Sequence, residues 1–255
     1  MSRLDPRLLL QCYAAGIFPM ADSRDAAELF WVEPRTRAIM PLDKFHLSRT
    51  LRRVVRSGRF QLTRDRDFAG VIRACANRDE TWINDEIEHA MLALHASGHA
   101  HSIEVWTSGD AGQEMVGGLY GVRLGRAFFG ESMFSTATDA SKVALAWLVA
   151  RLKVGGFTLL DCQFMTDHLA SLGAVSVPRA DYLAALSTAL GGGSTGSATA
   201  PLSAIGAGMT APASAGTSAA SPDFLALDRL LDATGAADAP GPAGYVIAQL
   251  LGQTS

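Results

Sequence analysis

The chain has 255 residues, of which 48% are hydrophobic and 18% charged, and its formal net charge is −3. This length allows one large domain or two smaller ones with a real core. The chain has no uncharged apolar run of about 18 residues, which argues against a membrane span. Because the three cysteines are far apart and no apolar leader segment opens the chain, we expect a cytoplasmic protein without a disulfide framework or a cysteine-based zinc site.

The charge is unevenly distributed along the chain. Residues 1–60 carry eleven Lys and Arg against six Asp and Glu, whereas residues 61–120 carry four against ten. The near-neutral average would exclude a general nucleic-acid-coating protein, but it hides this basic first quarter. The basic quarter contains four arginines at helical spacing: Arg49, Arg52, Arg53 and Arg56. They form either a solvated helix face or a face that contacts phosphates, because Arg matches phosphate oxygens well.

Residues 1–60 are predicted to form a small N-terminal domain. A helix follows Pro6 and is closed by Gly16, and the chain then turns at Phe18-Pro19. A short strand covers 30–32, and the basic helix covers 45–57. Leu51, Val54 and Val55 are on the inward side of that helix.

Residues 61–190 are predicted to form a larger layered domain of the α/β (α+β) class. Strands that alternate apolar and polar residues, joined by glycine-containing turns, indicate an antiparallel meander. The predicted strands are 60–63, 101–106, 115–122, 127–129, 157–160 and 175–177. The predicted helices are 68–76 after Asp67, 85–97, 140–153 with Asp139 as its N-cap, 167–172 and 179–190.

Residues 191–255 are predicted to be a flexible low-complexity linker followed by a C-terminal tail. The stretch to about residue 222 is rich in Gly, Ala, Ser, Thr and Pro and nearly uncharged. An amphipathic helix over 223–231 and an apolar piece over 245–251 follow, and they dock either on the domain or on a partner.

The most informative polar residues follow a short apolar strand, in Leu160-Asp161-Cys162-Gln163. Because strand side chains alternate, we expect Asp161 and Gln163 on one face and Cys162 on the other. Asp161 either caps the helix that follows or is a partly desolvated carboxylate that orients an amide or accepts a proton.

Glu131 lies in an aromatic, Met-bearing strand over 128–135. An unpaired carboxylate there would be costly, so Glu131 needs a partner: Gln163, a Lys or a substrate ammonium. The neighbouring Gly130 lets another group approach the backbone closely.

Other chemistries find little support in the sequence. His95, His99 and His101 do not share one regular face, because Gly98 ends the helix between them, and no HExxH pattern is present, so we expect no metal. Cys162 has no basic neighbour in sequence that would make it a thiolate nucleophile. The glycines of 117–121 are too loosely spaced for a nucleotide-binding loop and favour close strand packing.

A set of short motifs occurs along the chain in a fixed order. It comprises Gly16-Ile-Phe-Pro19, Phe30-Trp31, Pro34-Arg35, Phe45-His-Leu-Ser-Arg49, Thr81-Trp-Ile83, Gly98-His-Ala-His-Ser-Ile-Glu104, Val116-Gly-Gly-Leu-Tyr-Gly-Val122, Phe129-Gly-Glu-Ser-Met-Phe-Ser135, Asp139-Ala-Ser-Lys142, Asp161-Cys-Gln163 and His168-Leu-Ala-Ser-Leu-Gly-Ala174. From about residue 8 to 186 the chain resembles the leucyl/phenylalanyl-tRNA–protein transferase family of bacteria.

The resemblance implies a soluble enzyme, and we expect it to be cytoplasmic and monomeric and to need no cofactor. Such an enzyme takes Leu-tRNA or Phe-tRNA and moves the amino acid onto the N-terminal Arg or Lys of an acceptor protein, which marks that protein for N-degron degradation. The implied fold is a small N-terminal domain followed by a larger domain resembling the acyl-CoA N-acetyltransferase fold.

The resemblance also implies roles for individual residues. Asp161, Gln163 and Glu131 match the catalytic group, and the basic helix with Arg49, Arg52, Arg53 and Arg56 matches the contact with the acceptor arm of tRNA. Leu119, Phe128 and Trp82 match the aminoacyl pocket. The chain departs from the family at Met20, where a substrate-contacting Trp often stands.

Two other functions remain open from the residues alone. An acyl-CoA N-acyltransferase would suit the fold, although no clear glycine-rich pyrophosphate loop precedes a helix. A non-catalytic RNA-binding module would explain the arginines, but it gives no reason for Glu131, Asp161 and Gln163.

Overall fold

The computed structural model describes residues 4–109, 112–192, 221–236 and 240–252. Helices and strands alternate irregularly along this part of the chain, as the predicted mixed α/β class requires. The strands are β1 (Phe18–Met20), β2 (Phe30–Val32), β3 (Thr36–Ile39), β4 (Gln61–Arg64), β5 (Ala100–Gly109), β6 (Gly112–Leu124), β7 (Ala127–Ser135), β8 (Leu159–Gln163) and β9 (Val175–Pro178). The helices are α1 (Pro6–Ala14), α2 (Arg49–Arg56), α3 (Phe68–Ala76), α4 (Asp85–Ala96), α5 (Ala140–Val154), α6 (Asp167–Ser171), α7 (Arg179–Ala189), α8 (Ala226–Ala233) and α9 (Pro240–Gly252), with a 3₁₀ turn at Leu42–Lys44.

Within the described residues, one large sheet has seven strands in the order β4-β5-β6-β7-β8-β3-β9. Strands β5, β6 and β7 form the predicted antiparallel meander, and β7 and β8 are parallel. The sequence analysis missed β3, which is inserted between β8 and β9 and antiparallel to both. Strands β1 and β2 form a separate two-stranded sheet.

Helices cover both faces of the large sheet, because side chains of alternate strand residues enter two separate cores. One core contains residues of α2, α5, α8 and α9 together with Val105 and Phe128 of the sheet. The other contains residues of α1, α3, α4 and α7 together with Tyr120 and Phe129. The sheet is therefore buried on both sides, and polar side chains within it need partners.

The basic helix is shorter than predicted. It begins at Arg49, because the Ser48 side chain accepts a hydrogen bond from the Leu51 N–H at 3.2 Å and so acts as the N-cap. Phe45 is buried but lies before the helix. The predicted inward side is confirmed, since Leu51 and Val55 are buried and Val54 is partly buried against the same core.

Asp139 lies at the predicted N-cap position of α5, but the prediction that its side chain caps the helix is wrong. Asp139 has a φ of 69°, in the left-handed region, and its side chain makes no capping hydrogen bond. Instead, Asp139 Oδ1 lies 3.0 Å from Lys142 Nζ, one helical turn away.

The tail docks on the protein itself. Helices α8 and α9 pack against α5, and α9 also packs along α2. Phe224, just before α8, is buried and stacks on Phe128, with ring centroids 5.5 Å apart. Most of the predicted linker over 191–222 lies outside the described residues.

The domain boundary at residue 60 stays a prediction. In the structure, Met40 and Phe45 share a core with α5, and β3 belongs to the large sheet. Among the described residues, every helix falls short of the length and apolar character that crossing a membrane requires.

Candidate active site

Asp161 lies in β8 at the centre of a buried hydrogen-bond network. Arg37 of β3 contacts both carboxylate oxygens, with Nη2 2.7 Å from Oδ2 and Nε 2.9 Å from Oδ1. The Tyr182 hydroxyl donates to Oδ2 at 2.8 Å, and the Gln163 backbone N–H donates to Oδ1 at 2.8 Å. Asp161 is therefore a fixed acceptor that holds the backbone N–H of Gln163, and its predicted role in the reaction stays a prediction. The alternative that Asp161 caps the next helix is wrong.

That helix, α6, has a different cap. The Thr166 hydroxyl accepts from the Leu169 N–H at 3.2 Å. The Asp161 carboxylate therefore hydrogen-bonds within the buried network and caps no helix.

Arg37 connects this network to the N-terminal segment. Its guanidinium carbon lies 4.4 Å from the centroid of the Phe18 ring and 4.8 Å from that of Tyr182, so the cation contacts both aromatic rings. Gly16 has a φ of 78°, and a Cβ there would lie only 2.9 Å from a methyl carbon of Leu183. The Gly16-Ile-Phe-Pro19 motif therefore places Phe18 against Arg37 through a turn that favours glycine.

Gln163 ends β8 with a left-handed backbone, at φ 62°. Its Nε2 donates to Glu131 Oε1 at 2.9 Å, which confirms Gln163 as the partner of Glu131 among the predicted alternatives. The predicted alternation does not describe this end of the strand, because Cys162 and Gln163 both line one cavity while Asp161 does not. Since the amide nitrogen faces Glu131, the amide oxygen of Gln163 is left to accept from a ligand.

Glu131 is the extra residue of a β-bulge in β7. In the ladder with β6, Tyr120 pairs with Ser132 and Gly121 pairs with Gly130, so Glu131 has no opposite residue. Bulges turn a side chain away from the regular pleat, and they are common beside active sites. This bulge explains how the carboxylate of Glu131 reaches Gln163.

The environment of Glu131 favours its protonated form. Burial raises the pKa of Glu131 to about 7, and nearby Asp161 acts in the same direction, whereas Tyr13, Gln163 and Arg37 act in the opposite direction. A carboxyl group with a pKa near 7 can give and accept protons at neutral pH.

Glu131 and Gln163 open onto a cavity of about 410 Å³, within the usual size range of small-molecule sites. Trp82 and Leu119 line it, and their implied role in an aminoacyl pocket stays a prediction. Further apolar lining comes from residues that the sequence analysis did not single out: Met133, Leu145, Leu148, Leu160, Phe164 and Leu169. The cavity thus offers an apolar wall beside a carboxyl–amide pair.

Phe128, also implied as a pocket residue, does not line this cavity. It is fully buried on the core side and stacked on Phe224. The pocket role that the resemblance implies for Phe128 stays a prediction, while in the structure Phe128 packs against the tail.

The sequence analysis missed one cation of the cavity. Arg78 lines it, and its Nη2 donates to Ser132 Oγ at 3.0 Å and to the Met133 carbonyl at 3.1 Å. Its position in a short loop after α3 gave no periodic signal that would identify it.

Arg49, Arg52, Arg53 and Arg56 are all exposed on the outer side of α2. Among the residues that the structure describes, no carboxylate forms an ion pair with any of them. Their guanidinium groups are therefore available to an external anion.

The histidines and Cys162 occupy structural positions. His101 Nδ1 lies 2.8 Å from Asp65 Oδ2, and the His95 ring stacks on Phe68. In the described part of the chain, no three His, Cys, Asp or Glu side chains are grouped to hold a metal ion. Burial raises the pKa of the Cys162 thiol, so a reactive thiolate is disfavoured.

Two sequence models of one family match this chain in succession. The model described as leucyl/phenylalanyl-tRNA protein transferase N-terminal domain covers residues 2–35, and the model described as leucyl/phenylalanyl-tRNA protein transferase covers residues 39–187. The chain belongs to the leucyl/phenylalanyl-tRNA–protein transferase family. The chain is therefore an enzyme, an aminoacyltransferase, and the two succeeding models agree with a small N-terminal domain followed by a larger one.

Individual relatives carry the family name over long alignments. The leucyl/phenylalanyl-tRNA–protein transferase of Rhizorhabdus wittichii is 55% identical over 260 residues and covers all of both chains. That of Cereibacter sphaeroides is 62% identical over 189 residues, covering 74% of this chain and 86% of the relative. The crystal structure of FemX covers 67% of this chain and 66% of its own, with 12% identity and a TM-score of 0.45.

Proposed function

We propose that this chain transfers Leu or Phe from its tRNA to the α-amino group of an N-terminal Arg or Lys of an acceptor protein. We extend the proposal to its biological setting, a monomeric cytoplasmic enzyme that marks proteins for degradation through the N-degron pathway. The observation that carries the proposal is the cavity, in which an apolar wall stands beside the Glu131–Gln163 pair. A Leu or Phe side chain suits the apolar wall, and the reacting ester suits the polar side.

The reaction itself sets modest demands on proton transfer. The acceptor amine attacks the ester carbonyl carbon, a C–N bond forms, and the C–O bond to the terminal ribose breaks. The α-amino pKa is about 7.7–8.0, so roughly 10–20% of the amine is already neutral at pH 7, a cost of only about 1–1.4 kcal/mol. Alignment of the amine with the ester and stabilisation of the tetrahedral oxyanion must therefore supply most of the acceleration.

Gln163 is proposed to align the amine. Its Nε2 is engaged by Glu131 and its backbone N–H by Asp161, so the side chain is fixed at both ends and its amide oxygen can accept an amine N–H. A neutral amide is a poor base, which makes Gln163 a positioning group for the nucleophile. Fixing such a group before the substrate binds lowers the entropy cost of reaching the attack geometry.

Glu131 is proposed to take the proton that the attacking amine loses. Its carboxyl lines the cavity, and burial raises its pKa to about 7, which matches a proton acceptor at neutral pH. The ribose oxygen that leaves needs a proton, and the protonated Glu131 can return it. When ionised, Glu131 also attracts the positive charge of an acceptor that begins with Arg or Lys.

The arginines of α2 are proposed to hold the acceptor arm of tRNA. They lie outside the cavity, are exposed and have no carboxylate partner among the described residues. A phosphate backbone satisfies several such guanidinium groups at once.

One assay tests the proposal. Purified protein is mixed with labelled Leu-tRNA and a peptide that begins with Arg, and label is counted in the peptide. A matched peptide that begins with Asp serves as the control for acceptor specificity. We expect label in the Arg peptide alone, and an absence of transfer to it would overturn the proposed function. Acetyl-CoA with the same peptide tests the acyl-CoA alternative, for which we expect no product.

A further inference from the structure

The C-terminal helix α9 lies directly beside the arginine-bearing helix α2. Ile247, Ala248 and Leu251 of α9 are buried in the core that also contains Leu51 and Val55 of α2. Gly244 faces the Val55 carbonyl so closely that any Cβ at this position would collide with it. The two helices therefore touch backbone to backbone, and the outer side of α9 is fixed next to the arginines.

One aromatic residue of α9 is directed away from this contact. Tyr245 is 54% exposed, and its ring lies 4.0 Å from the guanidinium carbon of Arg56. A cation over an aromatic ring is attracted by the ring quadrupole, so Tyr245 restrains the position of Arg56. Because half of Tyr245 stays in solvent, packing in the core does not account for its place.

Tyr245 and the arginines line one concave surface. The groove has a volume of about 380 Å³ and is lined by Arg49, Arg52, Arg53, Arg56, Ser57 and Tyr245. The last residue of α9, Gly252, lies beside the Arg52 guanidinium. Carbonyl groups at a helix C-terminus favour cations, so the end of α9 is a favourable neighbour for Arg52. The groove combines four arginines with an aromatic side chain and lies outside the reaction cavity.

We propose that Tyr245 of the tail is a tRNA-binding residue, which holds Arg56 in position and offers its hydroxyl to a phosphate or ribose oxygen of the acceptor arm. This inference rests on the proposed function for the identity of the RNA. A nucleic-acid backbone is favoured over the protein acceptor as occupant, since an acceptor that begins with Arg or Lys is repelled by four arginines. The tail thereby becomes part of the substrate-binding surface.

The test compares two variants of the full-length chain, Tyr245→Phe and Tyr245→Leu, in the transfer assay. The first keeps the ring over Arg56 and removes the hydroxyl, whereas the second removes both. We expect Tyr245→Leu to raise KM for Leu-tRNA about 2- to 5-fold at unchanged kcat, as loss of an exposed cation–π interaction implies. We expect a smaller rise for Tyr245→Phe. The KM for the acceptor peptide should stay the same in both variants.

A shortened donor and a control variant separate binding from folding. With leucyl-adenosine, which lacks the acceptor arm, Tyr245→Leu should behave as the unmodified protein. Leu225→Ala, a change at another exposed tail residue, should leave every constant unchanged. An unchanged KM for Leu-tRNA in Tyr245→Leu, in a preparation where Arg56→Ala raises it, would overturn the inference. So would an equal loss with leucyl-adenosine.

Direct binding distinguishes failure of this inference from failure of the proposed function. Filter binding of uncharged tRNA to the unmodified protein and to Tyr245→Leu needs no transfer reaction. A higher Kd for tRNA in Tyr245→Leu supports the inference even if no label reaches a peptide. Equal Kd values overturn the inference and leave the transfer assay as the separate test of function. Binding of an acidic protein, with no binding of tRNA, would also overturn it.

Discussion

Arg37 and Asp161 form a buried ion pair across 124 residues of sequence, with Nη2 2.7 Å from Oδ2. Arg37 is 1% exposed and Asp161 is fully buried. A buried ion pair is weak evidence for stability, because desolvation offsets much of the attraction. Its consequence here is positional, since it fixes the carboxylate that in turn holds the backbone of Gln163.

Removal of one member of this pair should be far more harmful than removal of both. Arg37→Met leaves Asp161 buried without its cation, and we expect a loss of about 3–5 kcal/mol in the free energy of unfolding. The double variant Arg37→Met with Asp161→Leu should recover part of that loss. Urea denaturation of the three proteins measures these values. A loss below about 1 kcal/mol for the single variant would contradict the expected cost of the unpaired carboxylate.

The fold could be predicted from sequence wherever one residue pattern extends over several turns or a long strand. The alternation in β5–β7 and the glycine-marked ends of α1 and α4 indicated the right elements. Strand β3 gave no such signal, because it is four residues long, lies between Pro34 and Pro41, and carries a buried arginine that reads as a surface residue. Missing β3 meant missing Arg37.

The candidate site was predictable in its residues but not in its geometry. Asp161, Gln163 and Glu131 are polar residues in apolar strands, and that contrast is visible in the sequence. The bulge at Glu131 and the left-handed backbone of Gln163 depend on how β7 and β8 meet their neighbours. The stacking of Phe128 on Phe224 joins residues that are far apart in sequence, so no local pattern indicates it.

Gln163 and Asp161 should affect turnover more than binding of tRNA. In Gln163→Leu the side chain can no longer accept from the amine, and we expect kcat to fall about 10²-fold or more at an unchanged KM for Leu-tRNA. Asp161→Asn should also lower kcat, because it weakens the hold on the Gln163 backbone. Steady-state transfer kinetics provide the measurement, with the exposed Gln113→Leu as the matched control. Unchanged turnover in Asp161→Asn would refute the role assigned to that carboxylate.

Glu131 should make stability fall as pH rises through the acid range. Its folded pKa is about 7, while an unfolded Glu has a pKa of about 4.3. Between these values the folded state binds the proton that the unfolded state releases, so the free energy of unfolding decreases with rising pH. Full ionisation of Glu131 in the folded state costs on the order of 4 kcal/mol of stability. Glu131→Gln should therefore gain stability relative to the unmodified protein between pH 5.5 and pH 8.

Denaturation midpoints at both pH values test this difference. The exposed Glu114→Gln provides the comparison. A constant difference between Glu131→Gln and the unmodified protein across the range would contradict a raised pKa.

Charge reversal on α2 should weaken binding of tRNA specifically. Arg49→Glu, Arg53→Glu and Arg56→Glu together should raise KM for Leu-tRNA and reduce the slope of log K against log salt by about one unit for each phosphate that is no longer neutralised. Transfer assays at several salt concentrations measure both. The control for the single variant Arg53→Glu is Arg73→Glu, at an exposed arginine of α3 on the other face of the sheet. This control should change neither the KM for Leu-tRNA nor the salt slope. An effect on the KM of the peptide alone would show that the tRNA assignment is wrong.

The docked tail should contribute measurably to stability. Phe224 is buried and stacks on Phe128, so Phe224→Ala should cost about 3–5 kcal/mol in the free energy of unfolding. Its neighbour Leu225 is 41% exposed, and Leu225→Ala should change stability by less than about 0.5 kcal/mol. Chemical denaturation of both variants is the check. Equal effects would mean that the tail does not form part of the folded core.

The place of β3 between β8 and β9 also constrains how the protein is made. Both neighbours of this early strand are translated more than a hundred residues after it. At a synthesis rate of about 5–20 residues per second, roughly 6 to 25 s pass between the synthesis of Arg37 and that of Asp161. During that interval the strand has two open edges and a cation without its carboxylate, which is a state that invites incorrect pairing. The order of the strands therefore postpones assembly of the candidate site until nearly all of the sheet has been synthesised.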